Sequence, residues 1–212
     1  MAQALLRAEN LLFEYDDLLL FDKLNFSAQA GEVVYVEGPN GSGKTTLLKI
    51  ICGLLDPIEG QVLWRDQPIN KAGNDFRENL LYQGHQAGIK GSLSARENLK
   101  WLLSLKGIDA SGATGMKLID DALLRSGLAG FEDIPCGHLS AGQKRRVGLA
   151  RIYVSKDKIW ILDEPFTAID KQGVATLESA IEQHAEQGGV VFITTHQPMN
   201  ITVPTQRLAL GS

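Results

Sequence analysis

The eight residues from Gly38 to Thr45, Gly-Pro-Asn-Gly-Ser-Gly-Lys-Thr, constrain the fold more than any other part of this chain. An apolar, β-prone run at 33–37 precedes them, and a run of helical character at 45–51 follows and stops at Gly53. A strand, a glycine-rich turn and a helix in this order are typical of a phosphate-binding P-loop. The glycines let the backbone N–H groups turn inward, and the helix N-terminus adds partial positive charge. The sequence therefore predicts a phosphate site within an α/β fold.

Each residue type in this motif has an expected task in phosphate chemistry. The Lys44 ammonium is predicted to reach the β- and γ-phosphates of a nucleotide, and the Thr45 hydroxyl is predicted to ligate Mg²⁺. The rest of the predicted cradle consists of Gly38, Pro39, Asn40, Gly41, Ser42, Gly43 and Thr46.

Two acids follow an apolar run later in the chain. The run 159–162 is entirely apolar, as expected for a parallel strand covered on both faces, and Asp163 and Glu164 come directly after it. Ligands of open parallel sheets bind at the carboxyl ends of the strands. Asp163 is therefore predicted to hold Mg²⁺, and Glu164 to act as a general base or to orient an attacking water.

The composition is that of a soluble globular domain. Of the 212 residues, 44% are hydrophobic and 22% are charged, with a net charge of −4, so no nucleic-acid footprint is expected. The short basic cluster 144–146 is predicted to be a solvated or partner-facing edge. The longest apolar stretch, 50–55, is far shorter than the ~20 residues that span a bilayer. The sequence thus predicts a cytoplasmic chain that reaches a membrane only through a partner.

Local patterns predict the order of the elements. Short apolar runs between 4 and 36 predict an antiparallel β region before the P-loop. From about 92 to 150 the pattern is helical, and Ser94 and Glu97 are a predicted capping box. Small residues at 107–115 predict an exposed loop.

The segment from Leu139 to Arg146, Leu-Ser-Ala-Gly-Gln-Lys-Arg-Arg, is a small-residue turn that opens a helix. Ser140 is a predicted N-cap, and the helix N-terminus behind it is a second candidate anion site. Leu-Ser-Ala-Gly-Gln resembles the signature motif of ABC-type ATPases, with Ala141 where glycine is usual. Two further segments resemble that family in the expected order: 166–170 is similar to its D-loop, and 194–196 to its switch histidine.

The resemblance covers about residues 5–200 and implies a fold. The expected fold class is α/β: a P-loop NTPase (RecA-like) ABC nucleotide-binding domain with an N-terminal antiparallel β region and a helical subdomain. A single domain is expected over 1–212. Its core would comprise about 1–86 and 151–212, and its helical subdomain, with the signature motif, about 87–150.

The resemblance also implies a composite site with ATP and Mg²⁺ as cofactors. Two copies would pack head to tail, so that each ATP lies between the P-loop of one copy and the signature segment of the other. The signature residues implied to act in trans are Ser140, Gly142 and Gln143. The implied catalytic residues are Lys44, Glu164 and His196. Tyr15 stands where the family places the aromatic ring that stacks on adenine, with Phe13 as a weaker candidate.

The Q-loop, which the family uses to contact Mg²⁺, is ambiguous in this chain. An ungapped match to the segment that begins at Leu93 places His85 at the usual glutamine position. A shift of one residue places Gln86 there instead. Both remain candidates.

Within the family, the details are similar to the ATPase subunit of bacterial cytochrome c maturation. The similarity is carried by the segments 84–90, 139–147, 160–170 and 194–197. It implies ATP hydrolysis coupled to haem export or to the release of a haem-loaded chaperone, with integral membrane subunits as partners, at the cytoplasmic face of the inner membrane. No residue is predicted to be a haem ligand.

Two alternatives come from other classes. One is a soluble ABC-type ATPase that acts on nucleic acid or ribosomes, and the other is an ABC importer or exporter for another substrate. The single cassette, the acidic balance and the absence of a heptad run disfavour the first. For the membrane complex, the predicted docking surface is the outer face of the helical subdomain next to the segment 85–86, with Lys90 and Arg96 as predicted exposed positions.

Overall fold

The computed structural model describes residues 4–16 and 18–211. Its strands are β1 (Ala4–Tyr15), β2 (Leu18–Gln29), β3 (Val33–Glu37), β4 (Glu59–Trp64), β5 (Gln67–Pro68), β6 (Leu80–Gln83), β7 (Ile159–Asp163), β8 (Val190–Thr194) and β9 (Thr205–Ala209). Its α-helices are α1 (Lys44–Ile51), α2 (Ile69–Ala72), α3 (Asn74–Glu78), α4 (Ala95–Leu105), α5 (Ala113–Arg125), α6 (Ala141–Ala150) and α7 (Lys171–Glu186). Single 3-10 turns lie at Cys136–His138 and Arg151–Tyr153.

The first of two compact units contains the described residues within 1–82, 157–164 and 181–212. One of its sheets has the order β2-β1-β4-β5, in which every pairing is antiparallel, so the predicted antiparallel β region is confirmed. The other sheet has the order β6-β7-β8-β3-β9, and β7, β8, β3 and β9 run parallel to one another. Because parallel strands end at the same edge, the loops after β3, β7 and β8 meet there.

Burial explains why this second sheet forms. Every residue of β7 and of β8 is buried, which is the pattern of strands covered on both faces. Helix α1 packs its apolar side into the same core through Leu47, Leu48, Ile50 and Ile51. The P-loop is therefore fixed between a buried strand and a buried helix face.

The second unit contains residues 83–156 and 165–180. Helices α4, α5 and α6 surround its own core, which includes Leu99, Ile119, Leu123 and Val147. The predicted capping box at the start of α4 is confirmed: Ser94 Oγ accepts a hydrogen bond from the Glu97 N–H, and the Glu97 carboxylate accepts one from the Ser94 N–H. The subdomain boundaries near 87 and 150 stay a prediction.

The prediction of an exposed loop at 107–115 is wrong at Ala110, which is buried, and at 113–115, which are helical and begin α5. A Cβ at Gly115 would lie 2.4 Å from the Ala110 Cα, so the small residues allow the chain to pack closely against the start of the helix. Among these small residues, Ala110 and Gly115 serve packing, whereas 111–114 are exposed.

The prediction of a solvated basic edge at 144–146 is wrong for Arg145. Arg145 is buried, and Arg146 forms an ion pair with Asp170. Arg96 is engaged as well, because its guanidinium bonds to Asp120 and Asp133. These cations are parts of the folded unit and not free surface charges.

A half-buried histidine makes stability depend on pH. The His184 ring stacks on Trp160 with centroids 3.9 Å apart, and burial lowers the pKa of His184 to about 4. The unfolded chain, with an ordinary histidine pKa, then binds the proton more tightly, so stability falls as the pH drops from about 6.5 to 4. We expect a loss of about 3 kcal/mol across this range.

Urea unfolding between pH 4 and 7 tests this prediction, with His184→Phe as the matched variant that keeps a ring but does not titrate. The variant should lose less stability than the natural chain over the same range. Equal losses in both proteins would contradict the assignment to His184.

Candidate nucleotide-binding site

The P-loop connects β3 to α1, as the sequence predicts. Gly38 has φ of 151°, and a Cβ there would lie 2.5 Å from Ser42 Oγ and 2.7 Å from the Leu210 carbonyl oxygen. Gly43, the N-cap of α1, has φ of 91°, in the left-handed region that side chains rarely allow. These two positions therefore require glycine for backbone reasons.

The Lys44 side chain lies over this loop. Its ammonium donates hydrogen bonds to the carbonyl oxygens of Gly38, at 2.7 Å, and Pro39, at 3.0 Å. The positive charge is thus placed at the loop that the motif assigns to phosphate.

Asp163 ends β7 and lies between two threonine hydroxyls. Thr45 Oγ1 donates to one of its carboxylate oxygens at 2.9 Å, and Thr194 Oγ1 donates to the other at 2.6 Å. Asp163 and Thr194 are direct partners in the β7–β8 register, which explains the second bond. Burial, and then the Asp163 charge, raise the pKa of Tyr82 to about 12, so the neighbouring phenol stays protonated.

Glu164 is held in an uncommon backbone conformation next to His196. Its φ is 50°, and its N–H donates to the Thr194 carbonyl oxygen and to Thr194 Oγ1. The Glu164 carboxylate lies 3.4 Å from His196 Nε2, and about two thirds of the His196 side chain is exposed. The structure thus brings the predicted base and the predicted switch histidine together.

The residues present suit a nucleotide phosphate and Mg²⁺. The Ser42 hydroxyl is buried in the loop and has no hydrogen-bond partner among the described residues. The Thr45 hydroxyl and the Asp163 carboxylate are 2.9 Å apart and are hard oxygen ligands of the kind that Mg²⁺ prefers. The donor set and the glycine cradle therefore fit the predicted cofactors.

The aromatic candidates differ in exposure. Tyr15, at the end of β1, is 64% exposed, and its ring is free to stack on a base. Phe13 is buried and packs against Phe21 in the core, so its role as the alternative stacking residue is excluded. Tyr15 stays the candidate for contact with adenine.

The Q-loop candidates lie just after β6. His85 and Gln86 are both exposed, so the ambiguity between them stays open. The third polar residue of this segment, Gln83, is buried, and its Nε2 donates to the carbonyl oxygens of Gly84 and Gln86. Gln83 therefore shapes the loop from within.

The signature segment begins α6 as predicted, with Ser140 as the N-cap. Ser140 Oγ accepts a hydrogen bond from the Gln143 N–H, and Gln143 Oε1 accepts one from the Ser140 N–H. Gly142 lies in the first turn, where a Cβ would approach the Ala168 carbonyl oxygen to 3.4 Å. The turn that carries the predicted contact residues is therefore fixed by its own side chains.

The D-loop-like segment ends in a helix cap. Asp170 accepts hydrogen bonds from the Gly173 N–H and from the Arg146 guanidinium. The Gly173 N–H, and then Arg146, hold the pKa of the Asp170 carboxyl below its ordinary value. The segment is thereby tied to the signature helix.

Comparisons with known proteins agree with this geometry. Residues 21–167 match the family model described as ABC transporter. Two curated relatives carry the name cytochrome c biogenesis ATP-binding export protein CcmA. The one from Colwellia psychrerythraea is 50% identical over 95% of this chain and 90% of its own length, and the one from Escherichia coli K12 is 50% identical over 93% and 91%. This chain belongs to the CcmA family of ABC transporters.

A solved structure extends the comparison to the fold. A dimeric ATP-binding cassette bound to ADP and phosphate is 25% identical, with a TM-score of 0.78 over 91% of this chain and 88% of its own. The CcmA-family chain therefore has the predicted ABC nucleotide-binding fold, binds ATP and is an ABC-type ATPase. No helix in the described part of the chain is long and apolar enough to cross a membrane.

Sequence reasoning missed two contacts. It did not single out the Thr194 hydroxyl as a partner of Asp163, although a threonine at the end of the neighbouring strand is a signal for it. It also missed Arg145, because a run of three basic residues reads as a surface patch.

Proposed function

We propose that this chain is the ATP-hydrolysing, energy-coupling subunit of a membrane complex in c-type cytochrome biogenesis. The observation that carries the proposal is the 50% identity, over nearly the whole chain, with proteins named for cytochrome c biogenesis and export. The work of the complex is haem export or the release of a haem-loaded chaperone. The chain would act at the cytoplasmic face of the inner membrane, bound there by integral membrane subunits.

The site residues support these roles by their positions. Lys44 and the P-loop N–H groups would bind the phosphates, and Tyr15 would stack on adenine. Thr45, Asp163 and a Q-loop residue, His85 or Gln86, would hold Mg²⁺ directly or through water. When bound, this ion would neutralise charge that develops on the phosphates.

Glu164 is the proposed general base. Its carboxylate would take a proton from the attacking water. The hydrogen bonds from the Glu164 N–H to Thr194 hold the backbone from which that side chain extends. His196, 3.4 Å away, would orient the Glu164 carboxylate and donate to a phosphate oxygen. Asp163, with both oxygens bonded by threonine hydroxyls, would stay fixed during the reaction.

A second copy would complete the site. The related cassette bound to ADP and phosphate is a dimer, which supports this arrangement. In a head-to-tail pair, the N-terminus of α6 from one copy, with Ser140, Gly142 and Gln143, would face the ATP on the P-loop of the other. Helix N-termini suit this task because their free N–H groups bind anions.

The proposed docking surface for the membrane subunit is the outer face of the second unit around Lys90. Arg96 is unsuitable for the test, since charge reversal would set a carboxylate beside Asp120 and Asp133. The variants are Lys90→Glu and Lys100→Glu, and the control is Lys71→Glu, an exposed lysine of the first unit. Co-purification of the tagged chain from membranes should lose the partner for the first two and keep it for the control, while all variants bind ATP. Full retention in all three would reject this surface.

The cytochrome assignment is tested by complementation. An Escherichia coli strain without its own CcmA should regain c-type cytochromes, measured by haem staining, when it expresses this chain, and Lys44→Ala should restore none. If the chain hydrolyses ATP but restores no cytochromes and purifies with ribosomes or with another membrane complex, one of the alternative functions is correct.

A further inference from the structure

Helix α6 contacts the segment Gly84–Ala87 through a buried arginine. Arg145 is 7% exposed, and its Nη1 donates to the carbonyl oxygens of Gly84, at 2.7 Å, and His85, at 2.9 Å. These bonds join residues about 60 positions apart in sequence. A charged donor that bonds two carbonyls makes stronger hydrogen bonds than a neutral one.

A second contact lies one turn further along the same helix. Gly148 comes three residues after Arg145, so the two share a helix face. A Cβ at Gly148 would lie 2.5 Å from the Ala87 carbonyl oxygen and 3.0 Å from the Ala87 Cα. The backbone of the segment therefore rests directly on the helix.

The backbone carbonyls of residues 84–86 are bonded to buried side chains, which leaves the side chains of His85 and Gln86 exposed. Gln83 Nε2 donates to the carbonyl oxygens of Gly84 and Gln86, each at 3.1 Å. With Arg145, it engages the carbonyls of three consecutive residues, while the side chains of His85 and Gln86 are exposed. The loop is thus held by its backbone and displays its two functional candidates.

We propose that Arg145 is a positioning residue, which fastens the 84–87 segment to α6 so that His85, Gln86 and the Ser140 turn move as one body. Ser140 is the N-cap of the same helix, whose hydrogen-bonded backbone transmits a displacement over its length. The effect on turnover rests on the proposed function, in which Ser140 completes the site of a second copy. The effect on the loop itself does not.

Two substitutions separate hydrogen bonding from packing. Arg145→Met fills similar space and has no donor. Arg145→Lys keeps an ammonium, and one nitrogen is able to donate to both carbonyls, as Nη1 does. The matched control is Arg125→Met, which removes an exposed arginine of the same unit that stacks on Tyr153.

Four measurements on the full chain follow. The carbonyl ¹³C shifts of Gly84 and His85, read through the amides of the next residues, report the bonds to Arg145. The Kd for ATP measured without Mg²⁺ reports the P-loop, and kcat for ATP hydrolysis reports the composite site. Thermal unfolding reports stability.

For Arg145→Met we expect both carbonyl shifts to move upfield and kcat to fall by about ten- to a hundredfold, because a 1 Å misplacement costs up to about a hundredfold. The Kd for ATP without Mg²⁺ should match that of the natural chain, since the P-loop contacts are untouched. Arg145→Lys should recover part of kcat and of the carbonyl shifts, and Arg125→Met should change neither.

Three results would overturn the proposal. The first is unchanged carbonyl shifts in Arg145→Met, and the second is an unchanged kcat in that variant although the shifts move. The third is a higher kcat in Arg145→Met than in Arg145→Lys, which is the result that packing alone predicts. Failure of the proposed function has a different signature. The natural chain would then hydrolyse no ATP, and the amide chemical shifts of residues 140–143 would not change when Mg-ATP is added. The carbonyl shifts of Gly84 and His85 would still change in Arg145→Met.

Discussion

Replacing Lys44 by Ala is expected to abolish ATP hydrolysis and to weaken nucleotide binding by roughly ten- to a hundredfold. The ammonium already lies at the P-loop, 2.7 Å from the Gly38 carbonyl oxygen and 3.0 Å from that of Pro39. It is the cation that the motif supplies to the β- and γ-phosphates, and alanine leaves their charge without that partner.

The matched control is Lys49→Ala, which removes an exposed lysine from the same helix. Equilibrium binding of a fluorescent ATP analogue and release of phosphate should both be normal in this control. Turnover in Lys44→Ala equal to that of the natural chain would reject the P-loop assignment.

Glu164→Gln should stop hydrolysis and leave ATP bound. Glutamine is nearly isosteric with glutamate but cannot accept a proton, and loss of a general base costs about 10²- to 10⁴-fold in rate. Because the bound ATP would persist between two copies, the variant should accumulate as a dimer in the presence of ATP and Mg²⁺.

Light scattering with and without ATP and Mg²⁺ measures this directly. Glu186→Gln, an exposed carboxylate at the end of α7, is the control and should behave as the natural chain. Asp163→Asn should differ from both, because it also lowers the Mg²⁺-dependent affinity for ATP. A Glu164→Gln chain that binds ATP but stays monomeric would contradict the composite site.

Features set by neighbours in sequence could be predicted. The P-loop depends on glycines a few residues apart, and the caps at Ser94 and Ser140 each bond to a residue three positions later. The acids after β7 follow from the apolar run before them, since a buried parallel strand ends at the ligand-binding edge. These signals lie within one short window of sequence.

Features set by distant contacts could not be predicted. The sequence predicts Arg145 to be a surface cation, because its partners, the carbonyls of Gly84 and His85, lie about 60 residues away in sequence. The sequence predicts a loop at Gly115, and only its close contact with Ala110 in the structure explains why this residue is small. The short helices α2 and α3 were not predicted because four or five residues span little more than one helical turn, which is too short for an apolar spacing to repeat.

Tertiary packing also decided between candidates. Phe13 and Tyr15 are two residues apart on one strand and suit the same stacking role by type, yet one is buried and the other exposed. Gln83 and Gln86 are the same residue type three positions apart, yet Gln83 is buried and Gln86 is exposed. Burial of this kind depends on which elements pack above the strand.

The composite site is tested most directly by mixing two inactive variants. Lys44→Ala removes the P-loop charge and keeps the signature turn. Ser140→Asp keeps a good N-cap but sets a carboxylate where phosphate is expected. Each variant alone should be inactive. In an equimolar mixture, half of the dimers would contain one copy of each variant, and each of these would hold one intact site out of two. The mixture should therefore regain about a quarter of the natural turnover. Phosphate release by the mixture no greater than the sum of the two separate variants would contradict a site shared between two copies.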